Sequence, residues 1–132
     1  MDSAEIEIRT PEVVTDVTDE LAAFCRDRGD GLLNAFVRHA TAGIALIETG
    51  SGTEPDLVAT LQRLLPVEDR YQHRHGPTGH GRDHVVPALV SPSVTIPVLA
   101  GRMALGTWQS VVVVDTNGSN PVRRVRLSFL PG

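Results

Sequence analysis

Lysine is absent from the 132 residues, so every basic side chain is one of 12 arginines. That omission excludes a Schiff-base lysine, a lysine general base and the lysine of a phosphate-binding P-loop. Cys25 is the single cysteine, which rules out an intrachain disulfide and a cysteine-built metal centre and leaves it as a small apolar residue on a helix. Aromatic residues make up 4% of the chain, so the core must be built from Val, Leu, Ile and Ala. No apolar run approaches the roughly 18 residues that would span a bilayer, and acids stand near the N-terminus where a secretory leader needs bases. A cytoplasmic location without a membrane partner is the expectation. Twelve bases against 16 acids, a net charge of -4 and a pI near 5.7 also argue against a nucleic-acid partner.

What is present suffices for one domain: 41% hydrophobic and 21% charged residues, with no linker, repeat or low-complexity tract. Residues 1–30 carry nine acids against three arginines, and the remainder seven against nine. Glu5 to Arg9 alternate as a strand, and Thr15 is placed to cap a helix carrying Val17, Leu21, Phe24 and Cys25. Leu32 to His39 and Ile44 to Glu48 read as neighbouring strands about the Thr41-Ala42-Gly43 turn. A second helix is expected from Thr53, with Asp56 as capping-box partner and Leu57, Leu61, Leu64 and Leu65 as its apolar stripe. After a long loop from Tyr71 to Asp83 the pattern is strand-like, and Trp108 to Asp115 is expected to pair with Val122 to Leu130 through an Asn117-Gly118 hairpin. Val125, Leu127 and Phe129 share one face of the last strand, which calls for an apolar cover. The expected class is α+β, a mostly antiparallel sheet sandwich covered by two to three helices.

Four of the five histidines, His73, His75, His80 and His84, fall within twelve residues, and His39 ends a strand. Imidazoles suit both acid–base work near neutral pH and metal ligation, yet the spacing matches no standard zinc signature. A metal site, a metal-free polar site and a solvated loop all remain open. Glu48 lies in phase with Ile44 and Leu46, where an unpaired carboxylate would be costly. Trp108 and Gln109 stand before an apolar strand, and Arg123 and Arg124 open the last one with guanidinium groups suited to phosphate.

The stretches His39 to Ile44 running to Glu48, Tyr71-Gln72-His73, Gly81-Arg82-Asp83-His84, Ile96-Pro97-Val98, Gly101 to Gln109 and Arg123-Arg124-Val125 together resemble the YjbQ family of small uncharacterised proteins. The resemblance runs from about residue 7 to the end. It implies an α+β fold assembling as a homotrimer with pockets near subunit boundaries, and a weak thiamine phosphate synthase activity known for some members, with a metabolite- or metal-binding protein as the alternative. It also implies that His39, Glu48, His73 and His84 line one pocket, that Trp108 and Gln109 belong to its LGTWQ motif, and that Arg123 or Arg124 holds a phosphorylated small molecule. A divalent ion, zinc or magnesium, held by His73, His84 and His39 would offset diphosphate charge while Glu48 and His39 serve the chemistry. Two positions depart from the family: His80 or a neighbouring glycine stands where Asn is usual, and Ser91 where Gly is. His75 and Arg82 match no family motif and stay outside this expected site.

Overall fold

The computed structural model describes every residue except 69, 74, 75, 78 and 120, so His75 lies outside the described residues. Among the described residues, eight strands form two antiparallel sheets. The strands are β1 (Asp2–Arg9), β2 (Val14–Asp16), β3 (Gly31–Val37), β4 (Ala42–Ile47), β5 (Ser93–Leu99), β6 (Arg102–Met103), β7 (Ser110–Asp115) and β8 (Val122–Pro131). The helices are α1 (Thr18–Cys25), α2 (Thr53–Leu64) and α3 (Val86–Leu89), with a 3-10 turn at Gly81–His84 ahead of α3. The large sheet runs β1-β8-β3-β5-β6 and the small one β2-β7-β4.

One apolar cluster lies between the sheets. Leu33, Ala35, Val37, Ile96, Val98, Val125, Leu127 and Phe129 of the large sheet meet Ala42, Ile44, Val111 and Val113 of the small one, with Leu21 and Cys25 of α1. Burial pushes the Cys25 thiol above its usual range, so it behaves as the apolar residue its setting requires. A second cluster lies on the far face of the small sheet, where Val112 and Val114 meet Leu61 and Leu65 of the α2 segment and Val86 of α3. The large sheet is therefore covered by the small sheet and α1, while α2 and α3 form a third layer.

This arrangement explains why β7 and β8 do not form the expected hairpin. Residues 111–114 are four consecutive valines, all fully buried, and such a run needs apolar cover on both faces. In the large sheet one of those faces would meet the outer surface, where Glu5, Arg38, Arg124 and Arg126 gather. In the small sheet both faces are covered, so β7 joins that sheet and β8 the other. The β3 and β4 strands are likewise split between sheets, joined by the crossing at residues 38–41.

Local signals differ at the helix starts. Thr15 lies in β2, and α1 begins at Thr18, whose N–H donates to the Asp16 carboxylate at 2.9 Å. For α2, Gly52 takes the N-cap position at φ 101° and Glu54 reaches back to the Gly50 N–H at 3.0 Å, while Thr53 is the first helical residue. Leu64 leaves the expected stripe and is exposed at the last turn.

The strand β4 is anchored to the segment after α3, where the Ile44 N–H donates to the Ser91 carbonyl at 2.7 Å. A Cβ on Gly43 would stand 1.9 Å from the Val90 carbonyl oxygen, so only glycine permits that approach. Gly43→Ala is expected to destabilise the fold by about 2–4 kcal/mol in denaturant unfolding, and Gly118→Ala, which meets open space, by less than about 0.5 kcal/mol.

Candidate functional site

The end of the small sheet where Ala42 pairs with Asp115 gathers most of the unusual chemistry. Asp115 and Arg123 are 5% and 1% exposed and form an ion pair between Nε and Oδ2. Thr41 donates its hydroxyl to the same carboxylate at 3.2 Å, and the Asn117 N–H donates to Oδ1 at 2.8 Å. Arg123 also donates to the carbonyls of Asn117 at 2.7 Å and Val122 at 3.1 Å. Removing one partner of such a pair would leave an uncompensated buried charge, at a cost of about 3–5 kcal/mol.

His39 packs beside this pair. Its Nε2 accepts the Arg124 N–H at 3.0 Å, so the neutral ring carries its proton on Nδ1. Burial, then the Arg123 guanidinium, hold its pKa below the ordinary 6.5. Arg124 itself faces outward toward Glu5 and Glu7, 3.8 and 3.7 Å away. Of the two candidate phosphate clamps, one is thus engaged in the buried network and the other lies on the outer face of the large sheet.

The loop after α2 brings three imidazoles together at the same end. Tyr71 donates to the Pro66 carbonyl at 2.8 Å, and Gly81 packs so closely on Tyr71 that a Cβ would stand 2.6 Å from the tyrosine's own. The short 3-10 turn then places His80 and His84 side by side, their Nε2 atoms 3.0 Å apart, with the His73 ring stacked on His84 at 4.1 Å. Nδ1 of His80 lies 2.9 Å from Oδ2 of the buried Asp83, and the Thr116 hydroxyl donates to Oδ1 of the same carboxylate. Thr116 follows Asp115, so the histidine cluster is tied to the segment that the buried ion pair organises. A cavity of about 230 Å³ lies against His80, Arg82, Asp83 and residues 116–119.

Glu48, Trp108 and Gln109 lie elsewhere. Ile47 pairs with Ser110, so these residues flank the opposite end of β4 and β7, roughly 17 Å from the Asp115 end at about 3.3 Å per residue. Glu48 is exposed, Trp108 is 74% exposed, and Gln109 closes its own turn by accepting the Gly106 N–H at 2.8 Å. Within one chain His39, His73 and His84 share an end of the sheet and Glu48 does not.

The expected ligand set of His39, His73 and His84 does not fit a divalent ion. His39 places its Nε2 lone pair on the Arg124 amide, and a neutral ring then has no second lone pair to offer. The described residues contain no group of three or more His, Cys, Asp or Glu side chains arranged to hold a metal. Sequence reasoning counted His80 in the histidine cluster but not in the expected pocket, and it left Arg82 and Asp83 outside the candidate residues. The signal was available in the spacing, since His80, Asp83 and His84 are three and four residues apart and any helical turn puts them on one face.

The depressed pKa of His39 has a direct consequence. As pH falls through the range below 6.5 the unfolded chain takes up this proton first, so stability is complete above 6.5 and is lost as pH drops toward the folded value. His39→Gln, whose amide oxygen can accept the Arg124 N–H, is expected to lose less stability than the wild type between about pH 7 and pH 5 in urea unfolding.

A family model described as UPF0047 protein YjbQ-like matches residues 2–132. A UPF0047 protein of Mycobacterium tuberculosis (strain ATCC 25618 / H37Rv) is 60% identical over 119 residues, covering 90% of each chain. The fold is similar to the crystal structure of a hypothetical protein from Aeropyrum pernix K1, with TM-score 0.88, 27% identity and 100% of both chains covered. It is also similar to that of a YbjQ-like protein from Sulfolobus solfataricus P2, at TM-score 0.90 and 21% identity over 99% of this chain and 97% of that one. With this match along its whole length, the chain belongs to the YjbQ/UPF0047 family.

Proposed function

We propose that the protein binds a phosphorylated small molecule at the histidine end of the small sheet and acts on it by acid–base chemistry. The observation that supports this most strongly is the gathering of His73, His80 and His84 with buried Asp83 beside the 230 Å³ cavity. Imidazoles stacked on and bonded to one another in a partly buried setting are suited to moving protons near neutral pH. The cation for the phosphate is Arg82, which lines the cavity with its side chain 12% exposed. It is positioned by the Leu65 carbonyl at 3.3 Å and by Asp83 at 3.7 Å, and a guanidinium held in this way keeps further N–H donors for a ligand. The family resemblance supplies the candidate reaction, the joining of a hydroxymethylpyrimidine diphosphate to a thiazole phosphate with loss of diphosphate.

Calorimetric titration with inorganic diphosphate, followed by a diphosphate-release assay on the two precursors, tests this. Wild-type protein is expected to bind, and Arg82→Gln to bind about tenfold more weakly, the loss of one charge-assisted contact. Binding without turnover of these or other phosphorylated substrates would favour a metabolite-binding role, and absence of binding would overturn the proposal.

A homotrimer accounts for the separation of Glu48, Trp108 and Gln109 from the histidine end. Two different patches that meet head to tail form a heterologous contact, and such contacts close into rings. In a ring of three the Glu48 end of each copy lies against the histidine end of the next, and the exposed Trp108 indole is covered. Light scattering is expected to give a trimer that Trp108→Glu dissociates. A stable wild-type monomer of 14.2 kDa at micromolar concentration would contradict this.

A further inference from the structure

The Asn117-Gly118 dipeptide does not close a hairpin, and its turn is bonded in a way that bears on its own chemistry. The Ser119 N–H and the Ser119 hydroxyl both donate to the side-chain oxygen of Asn117, at 3.1 and 2.6 Å. A backbone N–H can only donate, so the atom it meets is the amide oxygen and not the nitrogen. To reach a group two residues ahead, the side chain folds back along the Gly118 peptide, which brings Cγ toward the Gly118 nitrogen. That nitrogen is open to approach. Gly118 and Ser119 are exposed, a Cβ on Gly118 would meet nothing within 4 Å, and among the described residues no acceptor takes the Gly118 N–H. The carbonyl of the same peptide, that of Asn117, accepts from Nη2 of Arg123 at 2.7 Å.

We infer that Asn117 is a self-modification site, where the Gly118 nitrogen displaces the side-chain amide and the residue ends as isoaspartate or aspartate. The Gly118 nitrogen first loses its proton to solvent hydroxide. The resulting negative charge rests largely on the Asn117 carbonyl oxygen, which the Arg123 guanidinium already meets. As the nitrogen bonds to Cγ, charge moves onto Oδ1, the atom that holds both Ser119 donors. The tetrahedral intermediate is thus stabilised where its charge develops. The Cγ–Nδ2 bond then breaks, Nδ2 takes a proton from water and leaves as ammonia, and a succinimide ring remains. Water adds to one of the two ring carbonyls and opens the ring, releasing one carboxylate and one proton. Opening at the main-chain carbonyl gives isoaspartate, whose backbone is one carbon longer. Either product places a new negative charge on the wall of the 230 Å³ cavity, which Asn117 lines. The turn is a slow, one-way switch that lowers the affinity of that cavity for anions. This consequence rests on the reading of the cavity as a phosphate site, whereas the modification itself does not.

Incubation of the full chain in mildly alkaline buffer tests the modification, with ammonia release followed beside peptide mapping that separates asparagine, aspartate and isoaspartate at position 117. The folded protein is expected to convert about tenfold faster than a synthetic peptide of residues 111–124, which has the same dipeptide without the Arg123 and Ser119 contacts. Ser119→Ala is expected to slow the folded protein about tenfold, less than the loss of a donor in a closed active site because this turn is exposed, and to leave the peptide unchanged. Gly118→Ala puts a methyl group in the path of attack and is expected to keep residue 117 as asparagine. Conversion of the folded chain no faster than the peptide would overturn the inference, as would a folded Ser119→Ala protein that converts at the wild-type rate. Calorimetric titration with inorganic diphosphate reads the consequence. Converted wild type is expected to bind several-fold more weakly than fresh protein, and Gly118→Ala incubated in parallel to bind as it did at the start. Unaltered binding by fully converted protein would overturn the switch. Absence of binding by the fresh protein would count against the proposed ligand alone, since conversion is measured on the ligand-free chain.

Discussion

The buried pair of Asp115 and Arg123 is the contact on which the functional end depends. It sits where the chain leaves the small sheet and enters the large one, so two charges are held in a place that packing alone would have filled with apolar atoms. Their burial is tolerated because hydrogen-bonding groups meet them, among them Thr41, the Asn117 N–H, and the carbonyls of Asn117 and Val122. A pair of this kind is weak support for stability and strong support for geometry, since one arrangement satisfies all its partners. Here it fixes residues 115–117, and Thr116 carries that order across to Asp83 and the histidines.

The layer order follows from one strand. Four buried valines in β7 require cover on both faces, which places the large sheet and α1 on one side and α2 with α3 on the other. Once β7 is central in the small sheet, β4 beside it runs antiparallel, and its two ends become two separate chemical regions. One is a closed network of charges and imidazoles. The other is an exposed turn with Trp108 and Glu48.

Much of this was legible in the residues. The alternation in Val125, Leu127 and Phe129 gave the inner face of β8, and Leu57, Leu61 and Leu65 gave the inner side of the α2 segment. Strand pairing was not legible, because a valine run indicates burial on two faces without saying which sheet supplies them. The Asn117-Gly118 dipeptide suggested a tight hairpin, whereas Asp115 and Arg123 draw the chain across the core, and such long-range ion pairs leave no periodic mark. Glu48 follows the parity of Ile44 and Leu46 faithfully, but the strand ends one residue before it and the parity no longer decides its surroundings. The pairing of His80 with Asp83 was passed over for the opposite reason: a glycine-rich stretch gave no long period, so the three- and four-residue spacing was not read as the 3-10 turn that sets both against His84.

The ion pair at the sheet crossing organises the histidine cluster through Thr116. Hydrogen–deuterium exchange on Asp115→Asn against the wild type tests it most directly. Faster exchange is expected at Asn117 and across residues 80–84, with β1, β3 and β8 residues beyond Val125 keeping their protection. Unchanged exchange at residues 80–84 in a variant that has lost the Asn117 protection would contradict it, since the histidines would then be ordered by their own loop alone.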